Sequence, residues 1–197
     1  ELLRERLAVR QRDARLAAAE SGETFTEEFV GERVVISADG GRLRVREGGE
    51  RGRKGKSRHR RFRTPWREPK LVSAYLVDKD GKKKRKALPL YDGTLEDADA
   101  AFRILAAELK LRGAAKAKEL VLVADGARWI WDRADERALF LGIDPGRIVR
   151  VADFYHAVEH LTEIADLRAG WSEVQRKKWV RRQRRRLKEG KVDDVIE

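Results

Sequence analysis

Cysteine and methionine are both absent from this chain of 197 residues. Without cysteine, neither a disulfide nor a cysteine-ligated zinc site can form within it. Without methionine, the chain opens at Glu1 with no initiator, and it closes on Ile196-Glu197 with no Gly or Pro stop; both ends read as cuts in a longer protein. No run of about 18 apolar residues exists, which excludes a membrane-spanning helix. No signal-peptide pattern opens the chain either. The length suffices for one domain with a real core, or one domain and part of another.

What the chain has in excess is positive charge. Lys and Arg number 46 against 34 Asp and Glu, a formal net charge of +12. Such a surface attracts polyanions, nucleic acid first and anionic membrane second. The charge is clustered rather than uniform. Eight Lys/Arg fall in the thirteen residues Arg51 to Arg63, five in a row from Lys82 to Lys86, and nine in the thirteen residues Arg176 to Lys188. Clusters favour phosphate contact over a merely solvated surface.

Three apolar runs end on Ala-Asp: Val34 to Asp39, Leu120 to Asp125 and Ile148 to Asp153. In an open α/β sheet, loops leaving the carboxyl ends of parallel strands share an edge, and ligands bind there. Carboxylates delivered to that edge suit a hard divalent cation. Asp39 and Asp125 each precede Gly, an ordinary turn dipeptide, yet each closes an unusually apolar strand.

The spacing predicts a helix over residues 1–20, ended by Ser21-Gly22. It predicts a strand over Glu32 to Ala38, and an alternating hairpin partner with one basic face over Arg42 to Arg46. A third strand is expected over Lys70 to Val77. Thr94 is the candidate N-cap of a helix buried through Ala98, Phe102, Leu105 and Leu109 and ended by Gly113. Leu120 to Ala124 reads as a strand covered on both faces. A helix follows from Trp129 to about Phe140, a strand over Ile148 to Ala152, and helices from Asp153 to about Leu167 and from Trp171 to about Glu189. The order β-β-β-α-β-α-β-α implies an α/β fold with a mixed sheet and helices on its faces.

Smaller motifs compete with this reading. Gly49 to Ser57 imitates a P-loop, but five residues separate Gly49 from Gly55 where four are needed. It is better read as a basic loop touching phosphates. Of Trp66, Trp129 and Trp131, at least two are expected to be core aromatics, and one is a candidate for stacking on a base. His156-Ala157-Val158-Glu159-His160 matches a zinc-peptidase pattern. A peptidase explains neither Asp39 and Asp125 nor the basic clusters, so it stands as the alternative enzyme reading.

Taken together, four phrases resemble family sequence: Ser37-Ala38-Asp39-Gly40-Gly41, Trp66 to Lys70, Ala124-Asp125-Gly126-Ala127 and Asp153-Phe154-Tyr155-His156-Ala157. The chain resembles bacterial insertion-sequence transposases of the DDE type, closest by eye to the ISKra group, over roughly residues 30–167. The last phrase is similar to the Cys/Asp-x-x-His element of the hAT and Mutator-like transposases. The resemblance implies a ribonuclease-H-like core over residues 31–169, a helical lead-in over 1–30, and the start of a basic helical insertion over 170–197. It implies Mg²⁺ (or Mn²⁺) held by Asp39 and Asp125 as metal ligands and catalytic residues. One ion would activate water for strand cleavage and then the freed 3′ hydroxyl for strand transfer. Asp153 and His156 would support the site. Arg53, Lys54, Lys56, Arg58, Arg60, Arg61, Arg181, Arg182 and Arg185 would bind DNA, both transposon ends and target. A homodimer and a cytoplasmic, nucleoid-associated location in bacteria follow by analogy. The family's third acid has no assigned position; Glu159, Glu163 and Glu173 are candidates by default, and a place beyond Glu197 is favoured. A non-catalytic nucleic-acid-binding domain is the second reading.

Overall fold

Helix α1 (Leu2–Glu20) precedes strand β1 (Arg33–Gly40) in the computed structural model, which describes residues 2–48 and 62–196. Four two-residue strands follow: β2 (Leu43–Arg44), β3 (Glu47–Gly48), β4 (Phe62–Arg63) and β5 (Trp66–Arg67). Then come β6 (Lys70–Val77), β7 (Leu90–Thr94), α2 (Ala98–Leu111), β8 (Glu119–Ala124), α3 (Arg128–Phe140), β9 (Ile148–Ala152), α4 (Phe154–Asp166), α5 (Glu173–Lys188) and α6 (Asp193–Ile196). The chain divides into two compact units, Glu1–Val123 with Ala127–Arg150, and Ala124–Gly126 with Val151–Glu197.

The main sheet has five strands in the order β7-β6-β1-β8-β9. β1 runs antiparallel to β6 and parallel to β8, and β6 antiparallel to β7. Val34, Val35 and Ile36 are β-branched and buried, which explains why this stretch holds the centre. Counting the five strands and the helices after them, the element order is the expected β-β-β-α-β-α-β-α, but two strands differ from expectation. Arg42 to Arg46 does not pair with β1. Leu43 and Arg44 pair instead with Arg67 and Trp66, and both are exposed, so the alternate Leu43 and Val45 do not make a core-facing strand here. The third sheet strand is β7, which the sequence pattern does not announce. Asp92-Gly93 looks like a turn, but the glycine serves a close approach. A Cβ on Gly93 would lie 2.8 Å from the Lys70 carbonyl oxygen and 2.9 Å from Leu71 Cδ2.

Helix α2 starts three residues later than expected. Asp97, not Thr94, is its cap, accepting from the Ala100 amide at 2.9 Å, while Thr94 Oγ1 accepts from the Glu96 amide. The expected stripe of Ala98, Phe102, Leu105 and Leu109 is buried. So are Ala101, Ile104, Ala107, Glu108 and Leu111, since α2 lies against β6, β7, α1 and α3 together. Ala18 and Ala19 of α1 meet Ala107 and Leu111. Arg15 of α1 donates to the buried carboxylate of Glu108, and that bond raises the Arg15 guanidinium above its ordinary pKa. Glu108 is shared with Arg112, whose Nε lies 3.6 Å from Oε2, so this seam holds more than one cation against the buried carboxylate.

β8 is buried on alternate residues only: Leu120, Leu122 and Ala124 are buried, Glu119, Val121 and Val123 half-buried. The expectation of cover on both faces is corrected accordingly. Leu120 and Leu122 line a small apolar cavity with Ile36, Phe102, Leu105 and Ala134, so this face is the one packed by α2 and α3. β9 is an edge strand with its residues exposed beyond Ile148.

Candidate functional site

In the first unit, β1 carries Asp39 outward at its carboxyl end, where the side chain is exposed. Asp39 faces Leu71 in the β1–β6 ladder and Gly40 faces Lys70. Lys70 is buried, only 9 % exposed, and its ammonium donates to the Glu68 carboxylate. The same ammonium lies 4.8 Å from the ring centroid of Trp129, a cation–π arrangement. Trp129 is in turn braced edge-on by Phe102 at 6.0 Å. A Cβ at Gly40 would come within 3.3 Å of Glu68 Oε1, so glycine relieves this corner. Lys70 and Glu68 flank the exit of β1, and sequence reasoning gave neither an individual role. Their only signal was the Trp66 to Lys70 phrase, where opposite charges bracket Pro69.

In the second unit, the Asp153 amide donates to the Ala124 carbonyl at 2.7 Å, so the backbone of Asp153 is tied to the residue before Asp125. The Asp153 carboxylate accepts from the amides of Tyr155 (2.7 Å) and His156 (3.4 Å), which makes it the N-cap of α4. Asp125 is half-buried. His156 Nε2 lies 3.0 Å from His160 Nε2 on the next turn.

The default third acids are each paired on their own helix. Glu159 lies 3.6 Å from His156 Nδ1, Glu163 3.0 Å from His160 Nδ1, and Glu173 accepts from Lys177 at 2.5 Å. Among the described residues, no three His, Cys, Asp or Glu side chains gather so as to hold a metal. The zinc-peptidase pattern therefore brings its two histidines together without a third ligand among the described residues.

Of the DNA-binding candidates, Arg53, Lys54, Lys56, Arg58, Arg60 and Arg61 lie outside the described residues, as does the P-loop imitation. Arg181, Arg182 and Arg185 are exposed on α5 and line an open groove with Trp171, Trp179 and Lys178. The helix is opened by a full capping box, Ser172 with Gln175. Trp179, Val180, Gln183 and Leu187 share one side of it with the half-buried Arg176 and Arg186, Gln183 being buried, while the other basic residues of the helix are exposed. In the Lys82 to Lys86 run, Lys84 is neutralised by Glu32, and Lys83 lies 5.7 Å and 5.8 Å from the rings of Tyr75 and Tyr91. Trp66 is exposed and flanked by Arg42 and Arg44 at 5.3 and 4.9 Å, while Trp129 and Trp131 are half-buried.

Among the described residues no helix is long and apolar enough to cross a membrane. No family model and no curated protein sequence matches the chain. Among solved structures it is similar to a chain of the Drosophila P element transposase strand transfer complex, at 14% identity and a TM-score of 0.36. The likeness covers 78% of this chain and 32% of that one, so the chain spans about a third of the neighbour's length.

Proposed function

We propose that this chain is the greater part of a ribonuclease-H-like catalytic core from a DDE-type DNA transposase of the bacterial insertion-sequence kind, with Asp39 and Asp125 as the ligands of Mg²⁺ (or Mn²⁺). The observation that carries the reading is the parallel register of β1 with β8. Ser37 pairs with Val123, and an aspartate follows each of them two residues later. Two parallel neighbours with the same count to an acid are what a shared carboxylate edge requires.

The donor set fits a hard cation: one or two carboxylates, with phosphate and water completing the sphere. When bound, such an ion supplies charge neutralisation at the phosphate and an activated oxygen for in-line displacement. The chain's own residues do the rest. Asp39 and Asp125 would present the carboxylate oxygens. Asp153 fixes the first turn of α4 and so the position of His156. Arg181, Arg182 and Arg185 hold backbone phosphates of transposon-end or target DNA. In this reading residues 31–169 form the core, residues 170–197 open a basic helical insertion, and the acting species is a dimer at the nucleoid.

Strand nicking and strand transfer on labelled DNA by the full-length protein, which in this reading would supply the third acid that this chain lacks, with Mg²⁺ or Mn²⁺, test it. Asp39→Asn and Asp125→Asn should each abolish nicking while DNA binding persists. Full activity in both variants overturns the assignment. A non-catalytic DNA-binding domain is the second reading, favoured by the local pairing of Glu159, Glu163 and Glu173. It predicts binding without nicking in the unaltered protein.

A further inference from the structure

The first two turns of α4 hold a second, chemically different cation site, we infer, built from His156 and His160. The site lies within one helix of the second unit and does not rest on the transposase reading. Four observations converge on it. The two Nε2 atoms lie 3.0 Å apart. The rings meet at 80° with centroids 4.5 Å apart, a T-shaped rather than a stacked pair. Glu163 Oε2 sits 3.0 Å from His160 Nδ1, and Glu159 Oε2 sits 3.6 Å from His156 Nδ1. Both imidazoles remain open to solvent, 38% and 59% exposed.

The chemistry follows from where the protons go. Glu163 Oε2, 3.0 Å from His160 Nδ1, favours the tautomer with its proton on that nitrogen, as the outer carboxylates of metal-bound histidines do. His160 Nε2 then offers a lone pair at hydrogen-bond distance from His156 Nε2. Either a proton on His156 Nε2 or a metal ion held by both nitrogens satisfies that approach, and the two solvent-open imidazoles one turn apart leave room for the metal. With a metal–nitrogen bond of about 2.0–2.1 Å, a 3.0 Å nitrogen separation closes an N–metal–N angle of about 90–97°. That is a cis pair of a square-planar or octahedral ion rather than a tetrahedral edge. Imidazole donors and that angle select Cu²⁺ or Ni²⁺ over Mg²⁺, which prefers oxygen. No third His, Cys, Asp or Glu joins the pair among the described residues, so water fills the remaining positions. The site binds a metal and does not make a peptidase.

Titration of the 197-residue chain with Cu²⁺ or Ni²⁺ tests this, read by calorimetry and, for Cu²⁺, by electron paramagnetic resonance. One equivalent is expected, with a two-nitrogen signature and a raised melting temperature. His160→Ala and His156→Ala should each remove it, while His59→Ala, the chain's other histidine, should keep it. Glu163→Gln should weaken it roughly tenfold, as loss of an outer carboxylate does. Circular dichroism confirms that α4 persists in His160→Ala, which places alanine on an exposed helical position. Binding that survives His160→Ala, or no binding at millimolar metal, would mean that the histidines share only a proton, and would overturn the site.

Discussion

The ammonium of Lys70 stands over the indole of Trp129, 4.8 Å from its ring centroid, one strand away from the exit of β1. Trp129→Leu removes this contact and the edge-on brace from Phe102. Urea unfolding should show a loss of about 2 kcal/mol. Lys70→Met keeps an apolar stem against the indole and should cost less, about 1 kcal/mol. A larger loss for Lys70→Met would show that the Glu68 partnership, not the ring, governs this corner.

Gly93 has no room for a side chain. Gly93→Ala should destabilise the chain by about 1–3 kcal/mol, because the new methyl group must displace the Lys70 carbonyl or the Leu71 side chain. Gly48→Ala, where a Cβ meets nothing within 4 Å, should stay within about 0.5 kcal/mol. Thermal melts of the two variants give the comparison directly.

The outer side of α5 should act through charge alone. Replacing Arg181, Arg182 and Arg185 together with alanine should weaken binding to duplex DNA of any sequence. The slope of log K against log salt should fall by about 0.9 for each phosphate that is no longer neutralised. The melting temperature should hardly change, since all three are exposed. Gln183→Leu, at a buried position, should do the reverse.

Both ends of α5 carry a carboxylate held below its ordinary range. Glu173 is lowered by the hydrogen bond and charge of Lys177, and Glu189 by those of Lys191. A group whose folded pKa is depressed stabilises above its unfolded value, near 4.3 for glutamate, and loses that contribution as pH falls through the folded value. Melting temperatures of Glu173→Gln and the unaltered chain should therefore converge in strong acid and separate toward neutrality, the variant melting lower. Separation in acid with convergence at neutral pH would reverse the sign and sink the account.

Most of the architecture was legible because burial imposes periodicity. The apolar runs at 34–36 and 120–124, the α2 stripe and the Asp153 cap are all visible in the sequence. β7 is not, because Asp92-Gly93 signals a turn unless the neighbouring backbone is known to pass within 3 Å. Arg42 to Arg46 misleads in the opposite way: alternation shows an extended chain but not which strand it joins. At the candidate site, the aspartates were readable because each ends an apolar strand. Lys70 was not, since a lysine's burial depends on partners 2 and 59 residues away in sequence. The inner side of α5 was hidden by its arginines, and only packing revealed Gln183.

The pairing of Gly48 with Phe62 has one more implication. Glu47 pairs with Arg63 beside it, and Leu43 and Arg44 pair with Arg67 and Trp66. The entropy cost of bringing two such positions together rises only logarithmically with the number of residues between them, about 0.6 kcal/mol for each doubling. The meeting of Gly48 with Phe62 is therefore tolerant of chain length in a way that the eight-residue β1–β6 ladder, where one residue more or less would turn every side chain to the other face, is not.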